Sequence, residues 1–166
     1  MSPVTRQYRI RPAIAQDTDT LVATRVQLFR ELGEGPAPGA LEAFQEGCRK
    51  VLLHSFQIGG LRAWLAEDGS GHVVGTLIML IFPRLPTPKL AGTSEGYIVN
   101  VWVTPEWRRL GIAGTLSATA QATAAELGLT RLRLHATRAG RPVYVGVGFR
   151  PRKDELELVL TPEEAV

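Results

Sequence analysis

The chain has 166 residues, 45% of them hydrophobic, and a formal net charge of +3; this length fits one domain, 1–166, able to bury its own core. Positive charge rests almost wholly on arginine, and no Lys/Arg block interleaved with aromatics occurs, so no nucleic-acid partner is expected. Cys48 is the single cysteine, which excludes an intrachain disulfide and a cysteine-ligated metal site; His54, His72 and His135 lack metal-ligand spacing, and no metal is expected.

Residues 8–13 (Tyr-Arg-Ile-Arg-Pro-Ala) alternate and predict a first strand. Asp17 and Thr18 give a helix N-cap signal, Leu21, Val22, Arg25, Leu28, Phe29 and Leu32 come next at helical spacing, and Gly33 is placed to end that helix. After Pro36 and Pro38, a second helix is predicted over 41–56, with Leu41, Phe44, Cys48, Val51 and Leu52 on one face. Residues 61–67 and 72–82 predict a hairpin across Asp68-Gly-Ser-Gly71. Three prolines between 82 and 92 make that stretch a surface loop, and residues 95–103 form the long central strand. A long helix takes in 115–127, and 132–136 reads as a buried strand in which His135 is more readily a core histidine than a base. A short helix comes after it, and the alternation of 155–160 predicts one of one or two final strands. The N-terminus lacks the apolar core of a signal peptide. The apolar run 77–82 is far too short to span a bilayer. A cytoplasmic chain with no membrane partner is therefore expected.

The most informative stretch is Val101-Trp-Val-Thr-Pro-Glu-Trp-Arg-Arg-Leu-Gly-Ile-Ala-Gly-Thr-Leu116. An apolar, β-branched run ends at Thr104-Pro105, and an Arg- and Gly-rich loop opens directly into an Ala- and Leu-rich helix. The first four N–H groups of a helix have no intrahelical partner, and the helix dipole is positive at the same end. Gly111 and Gly114, flanking Ala113, let an anion come close to the main chain, with Arg108 and Arg109 at the rim. The pattern lacks the Lys-Ser/Thr ending of a P-loop and the glycine spacing of a dinucleotide-binding fingerprint.

Arg108-Arg-Leu-Gly111-Ile-Ala113 resembles the Arg/Gln-x-x-Gly-x-Gly/Ala signature of the GNAT superfamily of N-acetyltransferases, here preceded by a strand ending in Val-x-Pro-Glu-x-Arg. A second block, Leu132-Arg-Leu-His-Ala136 followed by Gly140-Arg-Pro-Val-Tyr144-Val-Gly-Val-Gly148-Phe149, resembles the family's closing Tyr-x-x-x-Gly-Phe segment. The resemblance covers roughly the second half of the chain. It implies an α/β (α+β) fold with a mixed, mostly antiparallel central sheet, flanked by helices and splayed at the cofactor site. Acetyl-CoA is the implied cosubstrate, and its pyrophosphate meets the backbone of Arg108, Arg109, Leu110, Gly111, Ile112, Ala113, Gly114 and Thr115. Its pantetheine arm pairs with Val101, Trp102 and Val103, and an N–H of the main chain near Trp102 and Val103 polarises the thioester oxygen; Thr137 and Tyr144 complete the cofactor side. The family often has Asn where this chain has Thr137-Arg138.

Two readings stand for most of the remaining side chains. Tyr144 is the acid that protonates the CoA sulfur, as a phenol titrating near ~10 can, or a structural tyrosine under the cofactor. Glu95 is the general base that receives the amine's proton, or a solvated residue at a strand start. Asn100, if buried, needs a partner, either substrate or backbone. Arg141 meets the 3′-phosphate or substrate, or caps the short helix, while Trp102 packs and Glu106 caps or pairs with an arginine. The implied activity is direct attack of a primary amine on the thioester, with a small-molecule acceptor. A peptide or protein acceptor and a non-catalytic acyl-CoA-binding module are the alternatives. Either a monomer or a homodimer is compatible with the sequence.

Overall fold

Strands in this chain read as near-continuous apolar runs because helices cover the sheet on both faces. A computed structural model describes residues 6–160; both ends of the expected 1–166 domain lie outside these described residues. Strands β1 (Tyr8–Pro12), β2 (Leu61–Asp68), β3 (Val73–Pro83), β4 (Ser94–Val103) and β5 (Leu132–Leu134) form one sheet in the order β1-β2-β3-β4-β5. The first four are antiparallel, and β5 alone runs parallel to its neighbour β4. Helices α1 (Thr18–Glu31) and α2 (Leu41–Gln57) cover one face; α3 (Ile112–Glu126) covers the other, and α4 (Arg141–Gly146) packs on α3.

Alternation in β2 serves both layers: Leu61, Ala63 and Leu65 face α1 and α2 with Leu21, Val22 and Leu52, whereas Trp64 and Ala66 face α3. In α3, Ile112, Leu116, Ala120 and Ala124 recur every fourth residue and are all buried, a stripe whose alanines let the helix lie close to the sheet. A Cβ on Gly75 of β3 would come within 3.0 Å of Ile112 Cγ2 and 3.3 Å of the Trp102 carbonyl oxygen, so glycine there seats the first turn of α3 beside β4. Gly33, at φ +75, ends α1 as expected, its N–H donating to Arg30 O and that of Glu34 to Phe29 O.

The register of β3 on β4 skips Val99: Ile78 faces Asn100 while Met79 faces Ile98. This bulge sits where the far edge of β4 loses its partner. β5 pairs with β4 only from Gly96↔Leu132 to Ile98↔Leu134, so beyond Ile98 the sheet is open on that edge. The expected strand 132–136 is accordingly shorter, and His135 lies past its end and is exposed, not in the core. The expected final strand is not formed: residues 151–160 have no main-chain ladder. Glu155 is tied to Arg133 at 2.8 Å, while Leu156 and Leu158 are exposed. Leu127 comes after α3 as its C-cap rather than lying within it.

Candidate active site

The open edge of β4 is the first component. Beyond the bulge, Val99 O accepts from Arg25 Nη1 at 3.1 Å and Val103 O from Arg108 Nε at 2.9 Å. Between them Val101 alternates onto the same edge, so its N–H and C=O point away from β3 into the gap left by β5. Val101 and Trp102 are half-buried and Val103 is buried. The Trp102 ring lies on the α1 side, where Nε1 donates to Glu31 Oε1 at 3.2 Å.

The second component comes next in the chain. A 3-10 turn, Pro105–Trp107, leads through Arg108 to Arg109 at φ +62 and Gly111 at φ +81, which opens α3 as its N-cap. The first α3 bond to that cap runs from Thr115 N–H to Gly111 O, 2.9 Å, and no side chain caps the helix, so Ile112, Ala113 and Gly114 keep their N–H groups for a ligand. A Cβ at Gly111 or Gly114 would meet open space, so the ground above them is free for an anion. An anionic group is favoured there by these donors and by the dipole of a 15-residue helix. Leu110 is exposed, and Thr115 Oγ1 bonds Gly111 O at 3.1 Å and the Tyr8 hydroxyl at 2.9 Å. These residues, whose free N–H groups, glycines and open edge fit a phosphate-bearing thioester, are the ones that would hold acetyl-CoA.

Arg108 departs from its expected place. Its guanidinium turns inward to Val103 O and, through Nη2, to Glu31 Oε2, leaving Arg109 as the arginine at the rim. Glu106 does not cap the turn through its side chain; its carboxylate accepts from Thr104 Oγ1 at 3.0 Å. Thr137 Oγ1 accepts from Gly140 N–H at 3.0 Å and so organises the turn into α4. In α4 the half-buried Tyr144 stands edge-on to Phe149, ring centres 6.1 Å apart, and burial pushes its phenol above the ordinary value. The hydroxyl has no hydrogen-bond partner among the described residues and stays protonated at neutral pH, as a proton donor must. Arg141 begins α4 and is exposed.

Glu95 is placed where a base cannot work. It is 2% exposed at the start of β4; Oε2 accepts from Arg131 at 2.8 and 2.6 Å, Oε1 from Arg133 at 2.6 Å, and Arg84 Nε lies 3.5 Å away. Burial works to raise its pKa, but the bonds from Arg131 and Arg133 outweigh burial and hold the carboxyl below its ordinary range. The reading of Glu95 as general base is therefore corrected: the arginines fix it in place as an acceptor. Asn100 is buried too, its Nδ2 donating to Thr76 Oγ1 at 3.3 Å, which donates to Thr24 Oγ1 at 3.1 Å on α1; its Oδ1 has no partner.

Groups that sequence patterns did not single out gather on the α1 side of the same edge: Glu31 between Trp102 and Arg108, and Arg25 over the Phe29 ring at 4.8 Å with a bond to Val99 O. Their only signal was position on α1, since no local motif pairs residue 31 with residues 102 and 108. Two cavities lie elsewhere. One, about 450 Å³, is lined by the C-terminal half of α3, β5 and residues 147–150; the other, about 360 Å³, lies by Pro12, Phe56 and Trp64. Among the described residues no cluster of His, Cys, Asp or Glu could hold a metal, and no helix is long and apolar enough to cross a membrane.

Comparison with known proteins gives the family and the fold. The sequence model of the acetyltransferase (GNAT) family matches residues 28–149. A protein from Clostridium acetobutylicum, described as a predicted acetyltransferase and solved with acetyl-CoA, is 25% identical, with a TM-score of 0.82 over 93% of this chain and 97% of its own. A GCN5-related N-acetyltransferase from Ralstonia eutropha JMP134 is 29% identical, with a TM-score of 0.81 over 93% of this chain and all of its own (100%). An aminoglycoside acetyltransferase from an uncultured soil metagenomic sample shares the fold at 15% identity, with a TM-score of 0.71 over 93% of this chain and 99% of its own. No curated protein matches the chain.

Proposed function

The chain belongs to the acetyltransferase (GNAT) family, and from that premise we propose that it transfers an acetyl group from acetyl-CoA to a primary amine by direct attack, the acceptor being a small molecule. One observation supports the reading above the others: the free N–H groups of Ile112, Ala113 and Gly114 stand next in the chain to the open edge at Val101. A phosphate anchor and a strand edge in that sequence suit a ligand with a pyrophosphate at one end and an amide-bearing arm at the other. When bound, acetyl-CoA supplies an activated thioester. The N–H of Val101 offers a hydrogen bond to the carbonyl oxygen, an oxyanion-hole contribution. Tyr144 supplies the proton for the departing sulfur, its phenol kept neutral by burial.

Support for direct attack comes from Cys48, which sits on α2, away from the open edge, and offers no acyl-enzyme route. Support for a small acceptor is the compact polar rim that α1 gives the edge, where Arg25 and Glu31 are less than two helical turns apart. Calorimetry with acetyl-CoA tests the proposal, wild type beside Gly111→Glu. Micromolar-range binding by wild type, lost in a variant that keeps its circular dichroism spectrum, is expected. A folded wild type that does not bind acetyl-CoA, or a variant that binds it equally well, would refute it.

A further inference from the structure

With Glu95 locked among arginines, the amine's proton needs another acceptor, and the fork between β4 and β5 holds one. Leu132 and Leu134 face the α3-side core, so Arg133 and His135 project from the opposite face, where the Arg133 guanidinium lies 5.7 Å from the centre of the Tyr97 ring. The His135 ring lies 5.8 Å from that of Tyr97, and its Nδ1 is hydrogen-bonded to the Tyr97 hydroxyl. Ile98↔Leu134 is the last pair before the sheet opens, so His135 is the first residue of the fork. Because Val99 is bulged, Val101 is two rungs beyond Ile98 in the register; at roughly 3.3 Å per rung, the His135 backbone stands about 3 Å short of it along the sheet, across the opening fork. An imidazole and one water span that gap, and His135 is exposed on the α1 side of the edge, from which an acceptor would enter.

We propose that His135 is the general base of the acetyl transfer, receiving the acceptor ammonium's proton at Nε2 directly or through one water, with Tyr97 positioning its ring. The inference rests on the acetyl-transfer reading. Nδ1 keeps its hydrogen and donates it to the Tyr97 oxygen, which leaves the Nε2 lone pair free. The ammonium N–H bond breaks with its electron pair on nitrogen, and the proton goes to Nε2. The neutral amine then forms the N–C bond to the thioester carbonyl carbon while C–S breaks. Sulfur leaves with that electron pair and takes a proton from Tyr144, which the second proton of the amine nitrogen restores; His135 returns its own proton to solvent. Imidazole suits the task because one ring nitrogen can hold its hydrogen while the other accepts a proton. The charged and titratable groups around the pair are Glu95 on β4, Arg133 on β5, and Glu155 and Glu157 in the C-terminal segment. Burial, assisted by the two glutamates and opposed by Arg133, raises the Tyr97 phenol, so it stays neutral beside the imidazole.

The test assays wild type, His135→Gln and Tyr97→Phe by free-thiol release over an amine panel across the range of about pH 5.5 to 9, with 15N NMR reading the His135 tautomer. His135→Gln is expected to lose about 10²-fold in kcat and the acid limb of the kcat/KM profile, with acetyl-CoA affinity unchanged. In His135→Ala, added imidazole restores part of the rate, and in Tyr97→Phe the tautomer preference is lost with a smaller fall in kcat. A His135→Gln enzyme that keeps the wild-type rate and acid limb overturns the proposal, as does an NMR spectrum showing the hydrogen on Nε2. Failure of the acetyl-transfer reading shows separately, as a wild type that does not bind acetyl-CoA, and takes this proposal with it.

Discussion

Glu95→Gln separates a structural carboxylate from a catalytic one. The substitution keeps the shape of the side chain and removes its charge, while its new NH2 group faces donors rather than acceptors. With the NH2 in the place of Oε2, Arg131 loses both of its bonds and Arg84 its counter-charge, while Arg133 keeps the amide oxygen and Glu155 as acceptors. Removing one partner from a buried ion pair costs about 3–5 kcal/mol, and the Glu95 side chain, 3% exposed, qualifies. For a domain of this size each kcal/mol lowers Tm by about 2–4 °C, so a fall of about 6–20 °C is expected by circular dichroism at neutral pH. Below that Tm, kcat per folded molecule should stay within a few-fold of wild type. The pH dependence is set by the direction of the shift. A carboxyl held below its ordinary range in the folded state contributes its full stability above the unfolded pKa of about 4.5 and loses it as pH falls through the lower folded value. The gap between the two proteins is therefore constant from neutral pH to about 5.5, and closes only in more acid solution. A variant that melts like wild type but has lost about 10²-fold in kcat would refute this account and return Glu95 to the role of base.

Arg11 bridges Glu67 at 2.6 Å and Asp17 at 2.8 and 2.9 Å, so Arg11→Met should lower stability by about 2 kcal/mol in urea titrations, since hydrogen bonds to charged groups contribute that much. Asp17 and Glu67 are both held below the ordinary range by Arg11 first of all, so this loss should shrink in acid, below about pH 4. Asn100→Leu should change stability by no more than about 1 kcal/mol, because Oδ1 is already unpaired and an apolar residue of similar volume removes that penalty; a loss above about 3 kcal/mol would show a partner that the orphaned oxygen conceals. Glu31→Ala frees Arg108 and Trp102 at a partly exposed site. Calorimetry should find acetyl-CoA affinity several-fold weaker, with a stability change below about 1 kcal/mol.

Local chemistry was legible in the sequence where the consequence is also local. The hairpin across Asp68-Gly-Ser-Gly71 and the end of α1 at Gly33 come from turn and cap preferences, which act within a few residues. The turn that opens α3 was legible for the same reason: strand end, proline, glycine and helix start are contiguous, and contiguity alone leaves the first N–H groups of the helix free. Side-chain partners across the fold were not legible. Nothing near Glu95 foretells that Arg84, Arg131 and Arg133 converge on it, since they arrive from β3's end and from either side of β5's start. His135 misled in the same way: alternation from Leu132 places it on a strand face, but whether that face is covered depends on where β5 stops pairing.

The stopping point coincides with the bulge, and the bulge leaves almost no trace in composition. Ile98-Val-Asn-Val-Trp-Val103 reads as unbroken strand, and its β-branched residues are acceptable on either face. In the structure Ile98 faces α3, Val99 and Asn100 both face α1, and Val101 returns to α3. Two successive residues on one face are what an inserted residue produces. Had alternation continued unbroken from Ile98 through Val99, Val101 would direct its main chain into the β3 ladder and Trp102 would occupy the open edge with its side chain on the α3 side. Deleting Val99 tests the bend separately from the facing. Asn100 would then succeed Ile98 in regular alternation, so residues 100–103 keep their faces and Val101 keeps its main chain on the open edge. Only the local kink and extra twist that a bulge gives its strand are removed, together with the carbonyl that holds Arg25. A straightened β4 narrows the fork with β5, so a folded deletion variant should bind acetyl-CoA more weakly although its phosphate cradle after Thr104 is intact. A Val99 deletion that binds acetyl-CoA as wild type does would show that the bulge is incidental to the site.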